Sequence, residues 1–511
     1  MAAAAGVVAG AVTLAAGELA GLLVGPRSGP FFVVGNTIVD LTPEWLKSFA
    51  ISTFGENDKI ALFACLATML TLLAAIAGWL QLRRPPWGLV LVGILGAVAA
   101  VAALTRPGSD AWYVIPAIVA IVSGSLTLWL LISVLRERPE QPSDSAHADA
   151  PQPLPRSSRR RFLVLTVAAA GLAVAAAAGS RTLGQTRQDI LDARARLRLP
   201  SADDPAAPPP VDAELDVPEI TPFTTPNSEF YRVDTALEIP RLHPGEWRLR
   251  IHGMVDEAVE IDFDDLVSLP LVERMITLTC VSNEVGGELA GNAVWLGYPL
   301  RALLERARPH DDADMVLSTS VDGFTASTPL EALTDGRDAL LAVGMNGEPL
   351  PMRHGFPVRM VVPGLYGYVS ATKWVTDLRV TRFDRETAYW TDRGWAERAP
   401  IKTASRIDVP GSFARLDAGP NVVAGVAWAQ RRGIGAVQVN VDDGEWYEAE
   451  LAGEVSVDTW RQWFWEWDAE PGRHTVRVRA VDGDGALQTG EQVPPIPDGA
   501  SGWHSVVVEV I

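Results

Sequence analysis

The sequence predicts a multidomain chain: an all-α transmembrane N-terminal region, an α+β domain, and a C-terminal immunoglobulin-like β-sandwich. Three observations predict it. First, 511 residues exceed what one hydrophobic core organises. Second, hydrophobic residues make up 48% but are unevenly spread: before about residue 180, long runs of Ala, Val, Leu, Ile and Gly carry few charges, whereas the remainder mixes charged and apolar residues. Third, past about Ala404 the chain becomes short alternating runs separated by turn signals, over roughly the 100 residues of one sandwich domain. The boundaries read this way are 1–180 for the membrane region, 181–217 for a stalk, 218–400 for the α+β domain and 401–511 for the sandwich.

A bilayer core takes about 20 apolar helical residues. Five stretches qualify: 1–25, 60–82, 87–104, 112–135 and 162–179. Trp79, Trp87, Trp112 and Trp129 sit near span ends, as interfacial aromatics do. Arg83 and Arg84 follow the second span, and Arg136, Arg138, Arg156, Arg159, Arg160 and Arg161 follow the fourth. The positive-inside rule places both loops in the cytoplasm, and the acidic loop 26–59 outside. Five spans starting inside end outside, so the rest of the chain is expected outside a multi-pass cell-membrane anchor. Ser158-Arg159-Arg160-Arg161-Phe162-Leu163, before an Ala-rich run, resembles a twin-arginine export signal; a plain positive-inside cluster is the alternative.

Composition excludes several function classes. A net charge of -19 argues against nucleic acid, which needs a basic surface. Two cysteines, Cys65 and Cys280, exclude a disulfide framework, a CxxCH haem site and a four-cysteine iron–sulfur cluster. All seven histidines lie at position 147 or beyond, outside the spans, so a haem held between these helices is not expected. Glu18 is the one acid inside a span.

Beyond the Pro/Ala-rich run 205–210, "WRLRIHG" alternates as a strand, and "IDFDDLVSLP" reads as a helix with Asp262 as N-cap. "RMITLTC" is a β-rich run that delivers Cys280 at its end, and "YPLRALLERA" is an amphipathic helix. Strands and helices mix without regular alternation, hence α+β. In the sandwich, Trp446, Trp460, Trp463, Trp465 and Trp467 are expected to pack core and interfaces.

Cys280 ends its strand and enters a polar, Gly-rich loop, "CVSNEVGGELAGN". A thiolate placed there is a nucleophile, a metal ligand or an inert buried side chain. Four separated motifs then occur in order. "TPNSEFYRVD", "LTCVSNEVGGELAGNAVWLGYPLRALL", "STSVDGF" and "NGEPLPMRHGFPVRMVVPGLYGYVSATKW" together resemble the sulfite oxidase family of molybdopterin-dependent oxidoreductases, as a membrane-anchored bacterial member. The resemblance runs from about Ile220 to the end, the sandwich being similar to that family's dimerisation domain.

The resemblance implies that Cys280 ligates molybdenum beside the pterin dithiolene, a soft donor suited to such a centre. It implies molybdenum-molybdopterin as cofactor, held by Asn227, Phe230, Tyr231, Asp322, His354, Arg359, Ser370, Ala371, Thr372 and Lys373. Arg359 and Lys373 would face the pterin phosphate. Asn227, Asp322 and His354 would hydrogen-bond the pterin, and backbone amides of 370–373 would line the phosphate. Sulfite-oxidase-like oxygen-atom transfer, oxidising sulfite or a related small-molecule substrate, is implied, with electrons passed singly to an external acceptor, a cytochrome or a membrane carrier. A homodimer through the last domain is also implied.

The family's substrate-binding arginines are missing here. Pro226 stands before the Asn of the first loop, and Ser282, Asn283, Glu284 and Val285 follow the cysteine. The active-site tyrosine falls near Trp395, and Arg393 is the candidate for part of the lost charge. Catalytic residues on this reading are Cys280, Trp395 and Arg393. Alternatives are a periplasmic reductase of methionine sulfoxide or an N-oxide with the same cofactor, and a non-catalytic membrane-anchored binding protein.

Overall fold

A computed structural model describes residues 1–24, 28–43, 58–105, 111–136, 185–236 and 238–511, with the single positions Val164, Val167 and Gly171. The chain forms two compact units, 1–189 and 190–511.

The first unit contains α1 (Ala2–Val24), α2 (Pro30–Leu41), α3 (Asp58–Arg83), α4 (Trp87–Leu104) and α5 (Ile115–Arg136). Among the described residues, four segments are long and apolar enough to cross a membrane: Ala2–Gly21, Ala61–Arg83, Trp87–Leu104 and Ala111–Arg136. Their outward faces carry Leu72, Ile94, Val98, Val101, Val122 and Leu126, an exterior suited to lipid. A Cβ at Gly6 would overlap the Ala74 carbonyl, and one at Gly78 the Ala2 carbonyl, so α1 and α3 meet backbone to backbone. α2 falls in the stretch read as an outside loop; its apolar run is helical but, at 12 residues, too short to span. Glu18 has a structural use, because its carboxylate accepts the Phe31 N–H (2.9 Å) in the first turn of α2. The fifth expected span and the arginine motif at 158–163 lie outside the described residues, apart from the three single positions.

α6 (Gln185–Arg196) runs across residue 190, where the second unit begins, within the residues read as a stalk. From Ile190 to residue 217 this segment packs along the body. Ile190 is buried, Asp204 bridges Val272 in parallel, and Leu215 N–H donates to the Gln462 side chain (2.7 Å). Its Pro-rich, extended backbone explains why: it leaves donors and acceptors free to pair with an exposed strand edge.

The α+β part runs β1 (Arg248–Gly253), β2 (Val259–Asp262), α7 (Phe263–Ser268), β3 (Val272–Thr279), β4 (Ala290–Pro299), α8 (Leu300–Ala307), β5 (Met315–Ser320), β6 (Thr325–Pro329), α9 (Leu330–Thr334), β7 (Leu340–Met345), β8 (Glu348–Pro349), β9 (Arg359–Val361), α10 (Gly367–Ser370) and β10 (Val375–Thr381). Asp262 starts α7 through a full capping box with Asp265. One sheet has the order β2-β1-β10-β5-β6, with β1 and β10 parallel; the other is β3-β4-β7-β8, with β9 on β7. Trp247, Leu249, Leu303 and Val358 anchor one core, and Phe230, Ile276, Trp295 and Phe356 another.

Residues 401–511 form two sheets. β11 (Ala404–Val409), β13 (Gly419–Trp428), β17 (Arg461–Ala469) and β16 (Glu450–Leu451) make one, in that order. β12 (Arg415–Leu416), β19 (His504–Val510), β18 (Gly472–Asp482), β14 (Ile434–Val441) and β15 (Trp446–Glu448) make the other. Their inner faces share one core of Val423, Val437, Trp463, Val478 and Val508, which makes the region a β-sandwich. Trp460 and Trp463 are fully buried, whereas Trp446 and Trp465 are half-buried.

Candidate active site

The last five residues of β3 are buried, so the strand carries Cys280 into the interior before the chain turns. Cys280 donates its N–H to the Leu289 carbonyl (2.9 Å), closing the loop at its base. Inside the loop, Asn283 N–H donates to the Cys280 carbonyl (3.1 Å), and the Asn283 side chain accepts from Leu289 N–H (2.8 Å). The sandwich holds the same loop from outside. Arg406, buried beside Asp408, donates to the Gly287 carbonyl (2.8 Å), and His504 packs where a side chain on Gly286 would stand. Burial pushes the Cys280 thiol up; hydrogen bonds from Ser282 and the charge of Lys373 oppose this.

Further along the same sheet, level with the start of β3, lies an excess of buried positive charge. Arg359 sits on β9 with its guanidinium 5.0 Å from the Trp295 ring centroid. It donates to the His354 carbonyl (3.1 Å) and, at longer range, to the Met360 and Ala371 carbonyls. Among the described residues it has no carboxylate partner, and burial pushes it down to about 10. Lys373 donates to Asp234 (2.6 Å), whose carboxylate also pairs with Arg232 (2.8 Å). Burial outweighs Asp234 and pushes Lys373 down to about 8. Asp234 thus offsets one charge among Arg232, Lys373 and Arg359. Gly355, at φ +113°, lets these groups close up: a Cβ there would press on the Cβ atoms of Arg359 and Lys373.

His354 is 1% exposed, and its Nε2 lies 3.1 Å from the Asn227 carbonyl. A carbonyl only accepts, so Nε2 carries the proton. Burial and then Arg359 push this imidazole down to about 3, well below its ordinary 6.5. The unfolded chain therefore binds more protons between those values, and His354 removes stability as pH falls from about 6.5 toward 3. In cofactor-free protein, His354→Gln is expected to flatten that decline, whose slope approaches about 1.4 kcal/mol per pH unit where His354 dominates. Thermal melts across the window check this; superimposable pH profiles would refute it.

Phe230 stacks with Tyr231 (5.2 Å) and meets Trp295 (5.7 Å) and His354 (5.6 Å) edge-on. Tyr231 is pushed up by burial and by the charge of Cys280, while Arg359 opposes this. Other expected site residues are turned differently. The Asn227 amide is spent on Glu348, Met345 and Asn346. Asp322 accepts from Phe324 N–H in the β5–β6 turn, which Val321 ties to Trp374. The Ser370 hydroxyl returns to the Leu365 and Tyr366 carbonyls, Thr372 pairs with Ser318, and Ala371 N–H closes α10.

Trp395 is 8% exposed, and its indole N–H meets no acceptor among the described residues. Tyr368 (5.7 Å) and Trp390 (6.2 Å) flank it, continued by Tyr389 and Phe324. Arg393 lies over the Tyr389 ring (3.6 Å) and donates to the Tyr389 carbonyl. Sequence reasoning missed Trp295, Asp234, Arg232 and Ser282 as site groups. Asp234 and Arg232 stood inside the quoted first-loop motif, but nothing in the sequence pairs them with Lys373.

A thiol at a strand end, and at a distance along the same sheet a desolvated cation with no carboxylate partner among the described residues, fit an extended cofactor that is sulfur-ligated at one end and phosphate-bearing at the other. The fold and site define an oxidoreductase of the molybdopterin-binding class, and residues 236–390 match the family described as "Oxidoreductase molybdopterin binding domain". Mitochondrial sulfite oxidase of Mus musculus is 30% identical over 61% of this chain and 68% of its own length. The human protein is 28% identical over the same shares. The uncharacterized oxidoreductase YuiH of Bacillus subtilis is 32% identical over 31% of this chain and 81% of its own length. The sulfane dehydrogenase SoxCD of Paracoccus pantotrophus shares the fold, with a TM-score of 0.50 and 23% identity over 57% of this chain and 82% of that one. The chain belongs to the sulfite oxidase-like family of molybdopterin oxidoreductases. These relatives set aside the non-catalytic scaffold.

Proposed function

We propose that the chain transfers an oxygen atom to or from a small substrate at a molybdenum centre ligated by Cys280. When bound, the molybdenum–pterin group supplies the two-electron redox change. The supporting observation is Arg359, a buried cation with no carboxylate partner among the described residues, on the sheet whose strand β3 delivers Cys280. Arg359 and Lys373 would hold the phosphate. His354, Phe230 and Tyr231 would border the pterin, Asp322 would reach it from the β5–β6 turn, and backbone around 370–373 would complete the cradle. The Asn227 side chain would brace that loop through Glu348 and Asn346. To hold the metal, Cys280 would act as its thiolate, the form that the hydrogen bonds from Ser282 favour. Electrons pass one at a time to or from an external cytochrome or membrane carrier. The membrane helices act as a multi-pass anchor, with the catalytic unit on the outer face. The sandwich is read as immunoglobulin-like and dimerising.

Within this reading, a neutral S-oxide or N-oxide suits these residues better than sulfite. Trp395 stands in an aromatic wall, and Arg393 is engaged by Tyr389. The test is the full chain purified in detergent from a cofactor-making host. It is expected to carry molybdenum and pterin in equal amounts and to reduce dialkyl sulfoxides with a one-electron donor. Turnover of sulfite instead would reverse the substrate reading, and metal-free, pterin-free protein would overturn the reading altogether.

A further inference from the structure

Trp395 offers an indole N–H at the position where a phenol was expected. A different phenol approaches Cys280 from another element. Tyr366 immediately precedes α10, and the next residue, Gly367, lies against the carbonyl of Thr279: a Cβ there would stand 3.9 Å from that oxygen. The residue after Tyr366 is therefore beside the one that precedes Cys280, and the Tyr366 hydroxyl is near enough to feel the charge of Cys280. Its side chain is 5% exposed. Its hydroxyl accepts only a long hydrogen bond, from Lys402 N–H (3.5 Å), and its own proton meets no acceptor among the described residues. A buried O–H without an acceptor costs roughly 1–3 kcal/mol. Such a cost persists where a ligand supplies the missing partner.

The surroundings keep the hydroxyl in place. Tyr366 N–H donates to the Ala399 carbonyl (2.9 Å), which ties it to the loop that carries Trp395. Gly499, at φ +99°, comes so close that a Cβ would lie 2.6 Å from the hydroxyl oxygen. Lys402 braces that approach, donating to Asp498 (2.8 Å) and to the Gly499 carbonyl (2.6 Å). Burial first, with the charges of Asp498 and Cys280, pushes Tyr366 up to about 12, so it is a donor throughout the neutral range.

We propose that Tyr366 donates a hydrogen bond to the oxygen of a neutral S-oxide substrate bound beside Cys280, with Trp395 and Tyr368 packing its organic groups. This rests on the oxide reading above. The reaction balances with one dialkyl sulfoxide, two electrons and two protons giving one dialkyl sulfide and one water. The S–O bond breaks, sulfur is reduced, and oxygen leaves as water. The electrons come from the external one-electron donor, and Tyr366 contributes a hydrogen bond without net proton loss.

The test is ligand binding to the loaded, full-length protein, read by quenching of tryptophan fluorescence. Dimethyl sulfoxide is compared with dimethyl sulfide, which lacks the oxygen. In Tyr366→Phe, the sulfoxide is expected to bind about tenfold more weakly, the sulfide is expected to bind as before, and molybdenum and pterin content stay unchanged. Equal sulfoxide affinity in both proteins overturns the assignment, as does equal weakening of both ligands, which would mark a packing role. Loaded wild-type protein that oxidises sulfite and does not bind the sulfoxide would sink the oxide reading itself, a result visible before any variant is made.

Discussion

Cys280→Ser is expected to lose at least about a thousandfold in turnover, about 4 kcal/mol of barrier, while keeping its fold. The reasoning separates two roles of one atom. As packing, Sγ is a small group at the end of a buried strand, and oxygen replaces it with little change in volume. The loop hydrogen bonds around it are made by backbone and by Asn283, so the variant keeps them. Its melting temperature should reflect a change of about 1 kcal/mol. As a ligand, a serine oxygen replaces a soft donor with a hard one whose proton is far more tightly held. Wild-type turnover in Cys280→Ser, measured on protein with normal near-ultraviolet circular dichroism, would remove Cys280 from the reaction.

Arg359→Met should give the second large effect, this time on cofactor retention. Methionine keeps an apolar stem over Trp295 and removes the charge. A hydrogen bond to a charged group contributes roughly 1.5–3 kcal/mol, so retention of pterin should fall by about ten- to a hundredfold. Stability of the cofactor-free protein should change much less. Removing a buried cation that lacks a carboxylate relieves desolvation, whereas the carbonyls of His354, Met360 and Ala371 lose a donor, and the two effects oppose each other. Lys373 is not equivalent, because it shares the carboxylate of Asp234 with Arg232, whereas Arg359 has no carboxylate partner among the described residues. Bound pterin per chain, assayed beside a thermal melt, tests both halves. Normal pterin content in Arg359→Met would contradict the phosphate assignment.

Chain-local features were legible in the sequence. The apolar runs that become α3, α4 and α5, the Asp262 N-cap, and the β-rich run that ends at Cys280 all depend on near neighbours in the chain. The motifs carried the family for a similar reason: their residues repeat in order whatever the distances between them. Features set by contacts between distant segments were hidden. Asn227 looked like a free amide, but Glu348 and Asn346, over a hundred residues later, take up its hydrogen bonds. Arg393 looked like a spare charge until its ring partner Tyr389 was placed. Residues 190–217 looked like a spacer because Pro and Ala give no sign of an edge-pairing partner. Tyr366 drew no attention because only the fold brings α10 beside the residue before Cys280.

The central claim is that the Cys280 sulfur binds molybdenum. X-ray absorption at the molybdenum edge, on the loaded full chain and on Cys280→Ser protein that retains its pterin, tests it most directly. The account predicts one fewer sulfur neighbour of the metal in the variant. The same sulfur count in both proteins would contradict it.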